Sequence, residues 1–406
     1  MQEHYCPWAD PRLASLPYKI FCYIALQLTE KGSKRLASSS DRPPGRPAAA
    51  TIKDVAAAAG VSIATVSAVL NGTPHVSAKR SKLVQDAIAS LGYAPHGPAR
   101  SLRRGKTKAI GIVVGDIANP FFTSLIRVVE QRASDAGYFV IVANSDDDMD
   151  KEINLLRVFR EQRVAGILLA PAGDDEAYVS TLRNSIDVPV VLVDRQLPGA
   201  PFDAVVVDNV KAAQMVTDYL IRLGHRRIAI VIGKQHLWTT TQRFNGYREG
   251  LRLAGIGPDI DLECIADSRT DSAYRMVQKL LGMANPPSAI FAANNLMMLG
   301  AIEAVIDMGY RCPDDVSIAG IDDLPWSSAI RPKLTTVAQP IDLLGAHALD
   351  MLLERIQRED ERGDLLKARI TILEPEFIIR DSCARVGTAL AKGQKRAKPA
   401  EHTEPS

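Results

Sequence analysis

The side chains of this 406-residue chain that could do covalent or metal chemistry are seven histidines and five cysteines, and their spacing argues against both uses. Histidines 4, 75, 96, 225, 236, 347 and 402 show no paired spacing, and Cys6, Cys22, Cys264, Cys312 and Cys383 form no CxxC, so no metal site is expected. Scattered thiols in odd number suit a reducing cytoplasm better than a disulfide framework. No GxGxxG, P-loop, GxSxG or HExxH sequence occurs. No catalytic residue, no enzymatic activity and no cofactor are therefore expected. His225, just ahead of an apolar run, reads as structural. The chemistry that remains is charge. Residues 51–106 carry eight Lys or Arg against two acids, a net +6, whereas 107–384 carry −10. A basic module on an acidic body suits a polyanion at one end only. Leu102 lies in that module among Arg100, Arg103 and Arg104, between Gly97-Pro98 and Gly105. This is either a solvated linker or a segment that orders on DNA and pushes Leu102 between base pairs from the minor groove.

The elements that position these residues start at residue 51. In TIKDVAAAAGVSIATVSAVLN, Val55, Ala56 and Ala59 share one helical face, and Val66, Val69 and Leu70 share a face of the next segment. Gly60 stands where the first helix must stop and turn sharply, and Ser62 is placed to cap the second. Such spacing predicts a helix-turn-helix, with a core αα-hairpin as the alternative. After the turn at Asn71-Gly72-Thr73-Pro74, Ser77 caps a third helix that buries Leu83, Val84, Ala87, Ile88 and Leu91 and ends at Gly92. Residues 1–50 read as a disordered or linker extension, with a Ser/Pro/Arg-rich stretch at 38–47. No apolar run reaches transmembrane length, and 20–28 is a weak signal-peptide candidate without a cleavage site.

From residue 109 apolar strands alternate with amphipathic helices. Strands are expected at 110–114, 139–143, 166–169, 188–193, 204–207, 227–231, 262–265, 289–292, 316–320 and 335–337, with helices such as 120–136 and 211–223. Runs such as VPVVLVD and RRIAIVI are apolar on both faces, as parallel strands must be. The fold class is therefore an all-α head plus a doubly wound α/β core. About 280 residues exceed one such sheet, so two lobes with a cleft are expected. The tail, 385–406, is polar, basic and read as disordered, without a Leu heptad for a coiled coil.

The segments TIKDVAAAAGVSIATVSAVLN, HVSAKR, LGYAP, ARSLRRGKT, IGIVV, NPFF and VSIAGIDD, in this order over residues 51–384, resemble the LacI/GalR family of bacterial transcription regulators. The resemblance implies a DNA-binding domain at 51–96, a hinge helix at 97–106 and a two-lobed core of periplasmic-binding-protein type I fold at 107–384. It implies a homodimer on a palindromic double-stranded DNA operator, a small-molecule effector between the lobes and no membrane partner. In the matching positions, residues 62–71 resemble the recognition helix, with Ile63, Ala64 and Ala68 facing bases. Long polar side chains are missing there, so methyl contacts to thymine replace bidentate readout, and hinge and DNA shape carry much of the specificity. Thr51, Ser62, Thr65, Ser67 and Asn71 fall on the same DNA-binding surface, Thr65 and Ser67 as phosphate ligands or helix-internal groups. Leu102 matches the intercalating leucine, Ala99 a small groove-facing residue, and Arg103 an arm into the groove.

The effector positions resemble the sugar-binding set of ribose-type repressors: Asn119, Phe121, Phe122, Asp194, Arg195, Arg243, Asn294, Asp322 and Gln339. Aromatic faces would stack on a sugar ring while planar Asp, Asn, Arg and Gln groups pair with its hydroxyls, which favours a monosaccharide such as a pentose. One aromatic of the family falls near Ser268 here, and Trp238 is the candidate substitute. By residue type alone, Phe122 also suits a core, Asp194 a strand end, Arg195 and Arg243 surface ion pairs, and Asp208-Asn209 a helix cap. An exported sugar-binding protein with the same core is the alternative function, but it would not need residues 51–102.

Overall fold

A computed structural model describes residues 50–70, 76–93, 107–361 and 367–387. The chain divides into two compact units, one ending at Pro95 and the other beginning at His96.

In the first unit three helices, α1 (Ile52–Ala59), α2 (Ile63–Leu70) and α3 (Ala78–Leu91), close around a small core. A capping box starts α1: the Thr51 backbone N–H donates to Asp54 Oδ2 (2.8 Å), and the Asp54 N–H donates to Thr51 Oγ1 (3.4 Å). At Gly60 the backbone turns to φ +64°, and the α1–α2 pair bends by 104°. Val55, Val66 and Val84, one per helix, are fully buried. Two residues expected in this core are not in it. Leu83 and Leu91 are 45% and 39% exposed, because α3 turns Val84, Ala87 and Ile88 inward. Leu83 lies about 100° of helix away from Val84, and Leu91 falls in the last turn of a helix longer than both its partners.

The second unit holds two six-stranded sheets. Lobe 1 orders its strands β11-β5-β4-β3-β1-β2, with β1 (Ala109–Val114), β2 (Phe139–Asn144), β3 (Gly166–Leu169), β4 (Val190–Val193), β5 (Asp203–Val207) and β11 (Ile370–Leu373). Lobe 2 orders them β12-β10-β9-β8-β6-β7, with β6 (Ile228–Ile232), β7 (Glu263–Ile265), β8 (Ala289–Ala292), β9 (Ser317–Ile321), β10 (Thr335–Ala338) and β12 (Glu376–Ile378). All pairings are parallel except β10–β12. The ten expected strands are present; β11 and β12 were not foreseen. Helices α4 (Pro120–Asp135), α5 (Met149–Glu161) and α6 (Glu176–Ser185) cover lobe 1, and α7 (Asn209–Arg222), α8 (Trp238–Leu253), α9 (Thr270–Leu281) and α10 (Asn295–Asp307) cover lobe 2. A short α11 (Pro325–Ala329) follows β9, and α12 (Ile341–Glu361) returns to lobe 1.

The chain passes between lobes three times: from β5 to α7, from β10 to α12 and from β11 to β12. Leu344, Leu349 and Leu352 of α12 lie in the lobe-1 core, and Arg355 clamps Asp203 through two 2.6 Å bonds. On the lobe-2 side, α7 and α8 cross so closely that a Cβ on Gly246 would meet Val210 O at 2.2 Å. His225 is structural: Nδ1 pairs with Ser288 Oγ (2.9 Å) and Nε2 with Ala384 O (3.1 Å). The expected tail at 385 begins too early, since the Val386 N–H donates to Leu223 O (3.0 Å). Among the described residues no single helix is long and apolar enough to cross a membrane.

Candidate functional site

On the head, Ser62 caps α2 by accepting the Thr65 N–H at Oγ (3.2 Å). Its hydroxyl also pairs with Thr65 Oγ1 at 2.9 Å, so Thr65 is engaged inside the cap. Thr51 likewise spends its hydroxyl on Asp54 Oδ2 (2.7 Å). Ile63 is 45% exposed and Ala64 is exposed, while Ser67 and Ala68 are half-buried. No charged residue lies on α2; Lys53, Lys79, Arg80 and Lys82 on the neighbouring helices are exposed. Asn71, Ala99, Leu102 and Arg103 lie outside the described residues.

In the core, all nine expected effector residues line one cavity of about 60 Å³ between the lobes. From lobe 1, Asn119 caps α4, its Oδ1 accepting the Phe121 N–H (3.0 Å). Pro120 at the first helical position fixes the start, so Phe121 and Phe122 leave α4 toward the cavity, edge to face with centroids 5.2 Å apart. Both rings also belong to the lobe-1 core, so Phe122 meets the core and site readings together. After β4, Asp194 turns the chain at φ +69°. Arg195 follows, its guanidinium 5.9 Å from the Phe122 centroid and its Nη1 donating to Asp147 Oδ1 (2.8 Å) and Pro171 O (3.0 Å).

From lobe 2, Arg243 on α8 is buried and donates Nε to Asn209 Oδ1 (2.7 Å) and Nη1 to Ala293 O (2.6 Å). Asn294 caps α10 by accepting the Met297 N–H (2.7 Å) and donates Nδ2 to Ser268 O (3.1 Å). Asp322 follows β9 at φ +77°, accepting Gln339 Nε2 at Oδ1 (2.6 Å) and the Asn295 N–H at Oδ2 (3.2 Å). Asn295 Nδ2 then reaches across to Asn119 Oδ1 (2.8 Å), a direct bond between lobes.

Burial and paired charge oppose each other in the electrostatics of the site. Burial pushes the Asp194 carboxyl up to about 6, although Arg195 and Arg243 oppose it. Burial also raises Asp147, but the charge and hydrogen bond of Arg195 outweigh it and hold that carboxyl below its ordinary value. Arg195 Nε, Asn295 Oδ1 and Gln339 Oε1 are buried without a hydrogen bond.

Several lining residues escaped the sequence reading, among them Asp147, Leu237, Thr240 and Arg269. Asp147 sits in the run Asp146-Asp147-Asp148, which looks like a solvated turn; only the left-handed backbone at Asp146 and Asp147 (φ +57° and +53°) turns it inward. Ser268, near which the family's aromatic position falls, lies on the cavity wall at φ +69°. Trp238 does not substitute for that aromatic. It starts α8 and packs against the lobe-1 core, outside the cavity lining. Asp208-Asn209 divides the roles left open: Asp208 caps α7, and Asn209 holds Arg243.

Residues 51–96 match the family described as bacterial regulatory proteins, lacI family, and 107–376 match the periplasmic binding proteins and sugar binding domain of LacI family. The HTH-type transcriptional repressor PurR of Aliivibrio salmonicida (strain LFI1238) is 36% identical over 82% of this chain and 98% of its own length. The lac repressor dimer bound to operator and the anti-inducer ONPF superimposes with a TM-score of 0.74 at 28% identity, covering 82% of this chain and 99% of that one. The transcriptional regulator CelR in complex with cellobiose gives 0.61 at 31% identity, with the same two coverages.

Proposed function

The chain belongs to the LacI family of bacterial regulatory proteins, and on that footing we propose that it is a dimeric transcriptional repressor whose hold on a palindromic operator is set by a monosaccharide in the interlobe cavity. The observation that carries this reading is the convergence of nine separated residues from both lobes on that one cavity. A hydroxyl both donates and accepts. The cavity offers the matching mixture: buried guanidinium donors, carboxylate and amide acceptors, and Gln339 Oε1, which has no hydrogen-bond partner. Phe121 and Phe122 add an apolar face for a sugar ring. The solved relatives hold ONPF and cellobiose. The likeness of the nine lining positions to the set of ribose-type repressors favours a pentose here. The helix-turn-helix head separates this chain from an exported binding protein with the same core, which would have no use for it.

Effector binding changes the angle between lobes, and the two heads follow through residues 97–106. Head affinity rests largely on phosphates, contacted by Lys53, Lys79, Arg80 and Lys82, so it falls steeply with salt. A mobility-shift assay on its own promoter region, with and without monosaccharides, tests the whole reading. A genome-wide pull-down without any palindrome-bearing fragment would overturn the regulator. A thermal-shift screen tests the effector separately: one sugar should raise the melting temperature by mass action, and a response confined to purines or aromatic acids would exclude the sugar.

A further inference from the structure

The turn after β2 and the loop before α8 face each other across the cleft, and their contacts go beyond the cavity lining. Lys234 Nζ donates to Asp146 O (2.9 Å) and stands 3.9 Å from Asp147 Oδ2. The other Asp147 oxygen holds Arg195, the guanidinium beside Phe122. Arg269 adds a contact to Asp146 Oδ1 at 3.7 Å, and Trp238 lays its ring on the lobe-1 core. One carboxylate thus receives a cation from each lobe, one at each oxygen. Asp146 and Asp147 are also held in the left-handed region, which non-glycine residues keep only where surrounding contacts enforce it.

We infer that Asp147 and Lys234 form a clasp that positions Arg195 for the effector and favours the closed arrangement of the lobes before any effector binds. Asp147 is the shared part. It orients Arg195 within lobe 1, and only closure brings Lys234 to its second oxygen and to the neighbouring carbonyl. Closure and the presentation of Arg195 are therefore linked through one side chain, and the cost of closing is partly met in the empty protein. An effector binding a protein whose competent state is already populated gains affinity by that fraction. The link to effector affinity rests on reading the cleft as the effector site; the link to closure does not.

The test uses the full chain with two dyes attached through genetically encoded azido residues at exposed Arg160 and Arg275, one on each lobe. Energy transfer is read without ligand. Lys234→Met should shift the population toward open distances, and Lys234→Arg should restore the wild-type distribution. Lys234 is partly exposed, so neither change threatens folding. Asp147→Asn should open the lobes as Lys234→Met does. Unchanged energy transfer in Lys234→Met overturns the clasp. D-Ribose is the probe for the second readout: its half-saturating concentration should rise about tenfold in Lys234→Met while saturating D-ribose still closes the lobes. If D-ribose fails with the wild type as well, the pentose reading falls, and the ligand-free distances still decide the clasp.

Discussion

In the head, the recognition helix shows small or apolar side chains: Ile63 is 45% exposed, Ala64 is open, Ala68 is half-buried, and α2 carries no charge. In the core, the residues expected to meet the effector are charged or amide-bearing and buried: Asp194 and Arg195 are each 5% exposed, Arg243 7% and Asp322 4%. Each region departs from the ordinary distribution in its own direction. An exposed methyl surface can take only another surface with methyls and a charged surround, which the thymine edge and the phosphates provide. A buried ion cluster is stable only while its members complete one another. The head therefore depends on its partner for specificity, and the core depends on its own charges for integrity. Substitutions should separate the two regions along this line.

The largest effect is expected from Arg195→Ala. Asp147 and Asp194 would remain buried without the guanidinium, at a cost of about 3–5 kcal/mol. Of the three tryptophans, Trp238 and Trp326 lie in the core, Trp8 lies outside the described residues and none lies among residues 50–93, so urea unfolding followed by the fluorescence of a Trp8→Phe background reads this loss. The effector-induced rise in melting temperature should vanish, while nonspecific DNA binding by the head persists. An unchanged urea midpoint would show that the core charges do not depend on one another. Next comes Leu102→Ala, expected to weaken operator binding by a few kcal/mol, the scale of the unstacking it would forgo. Nonspecific affinity should hold; equal operator binding by the mutant removes the wedge from the mechanism. Val66→Ala should cost about 1–3 kcal/mol in the head alone. Six hydrophobic residues are buried there among the described residues, a small core, so operator binding should fail at a lower temperature while effector binding is unaffected.

The same contrast explains what the sequence discloses. β4 and β6 are buried on both faces, and their unbroken apolar runs, VVLV and IAIVI, are visible without a structure. β11 and β12 are edge strands, with Ile370 and Ile372 more than half exposed, and short alternating segments after a long helix carry no such signal. The nine effector positions follow motif by motif because all but Arg243, which lies inside α8, sit at a strand end or helix start. Asp147 and Lys234 do not, because their meaning comes from a tertiary turn and from a residue in the other lobe. In α3 the pattern over-reached: Leu83 has the residue type of a core position but points away from it.

The smallest expected effect concerns pH, and it again separates core from head. Glu152 on α5 is fully buried, and Tyr178 of α6 donates its hydroxyl to Glu152 Oε1. Burial pushes this carboxyl up to about 7, even though the Tyr178 bond and the charge of Arg195 oppose it. Between the ordinary carboxylate value and 7 the folded chain holds more protons than the unfolded one, so stability falls as pH rises through that window. Asp194, raised to about 6, acts in the same direction. From pH 5.5 to 7 the core should lose about 1–2 kcal/mol through Glu152. Glu152→Gln keeps an acceptor for Tyr178 and removes this titration, leaving only the shallower slope of Asp194. Tryptophan-detected urea midpoints at pH 5.5 and 7.5, in the same Trp8→Phe background, measure both chains. A wild-type core that becomes more stable over that interval, or a Gln variant with the wild-type slope, would mean that Glu152 is ionised in the folded chain throughout.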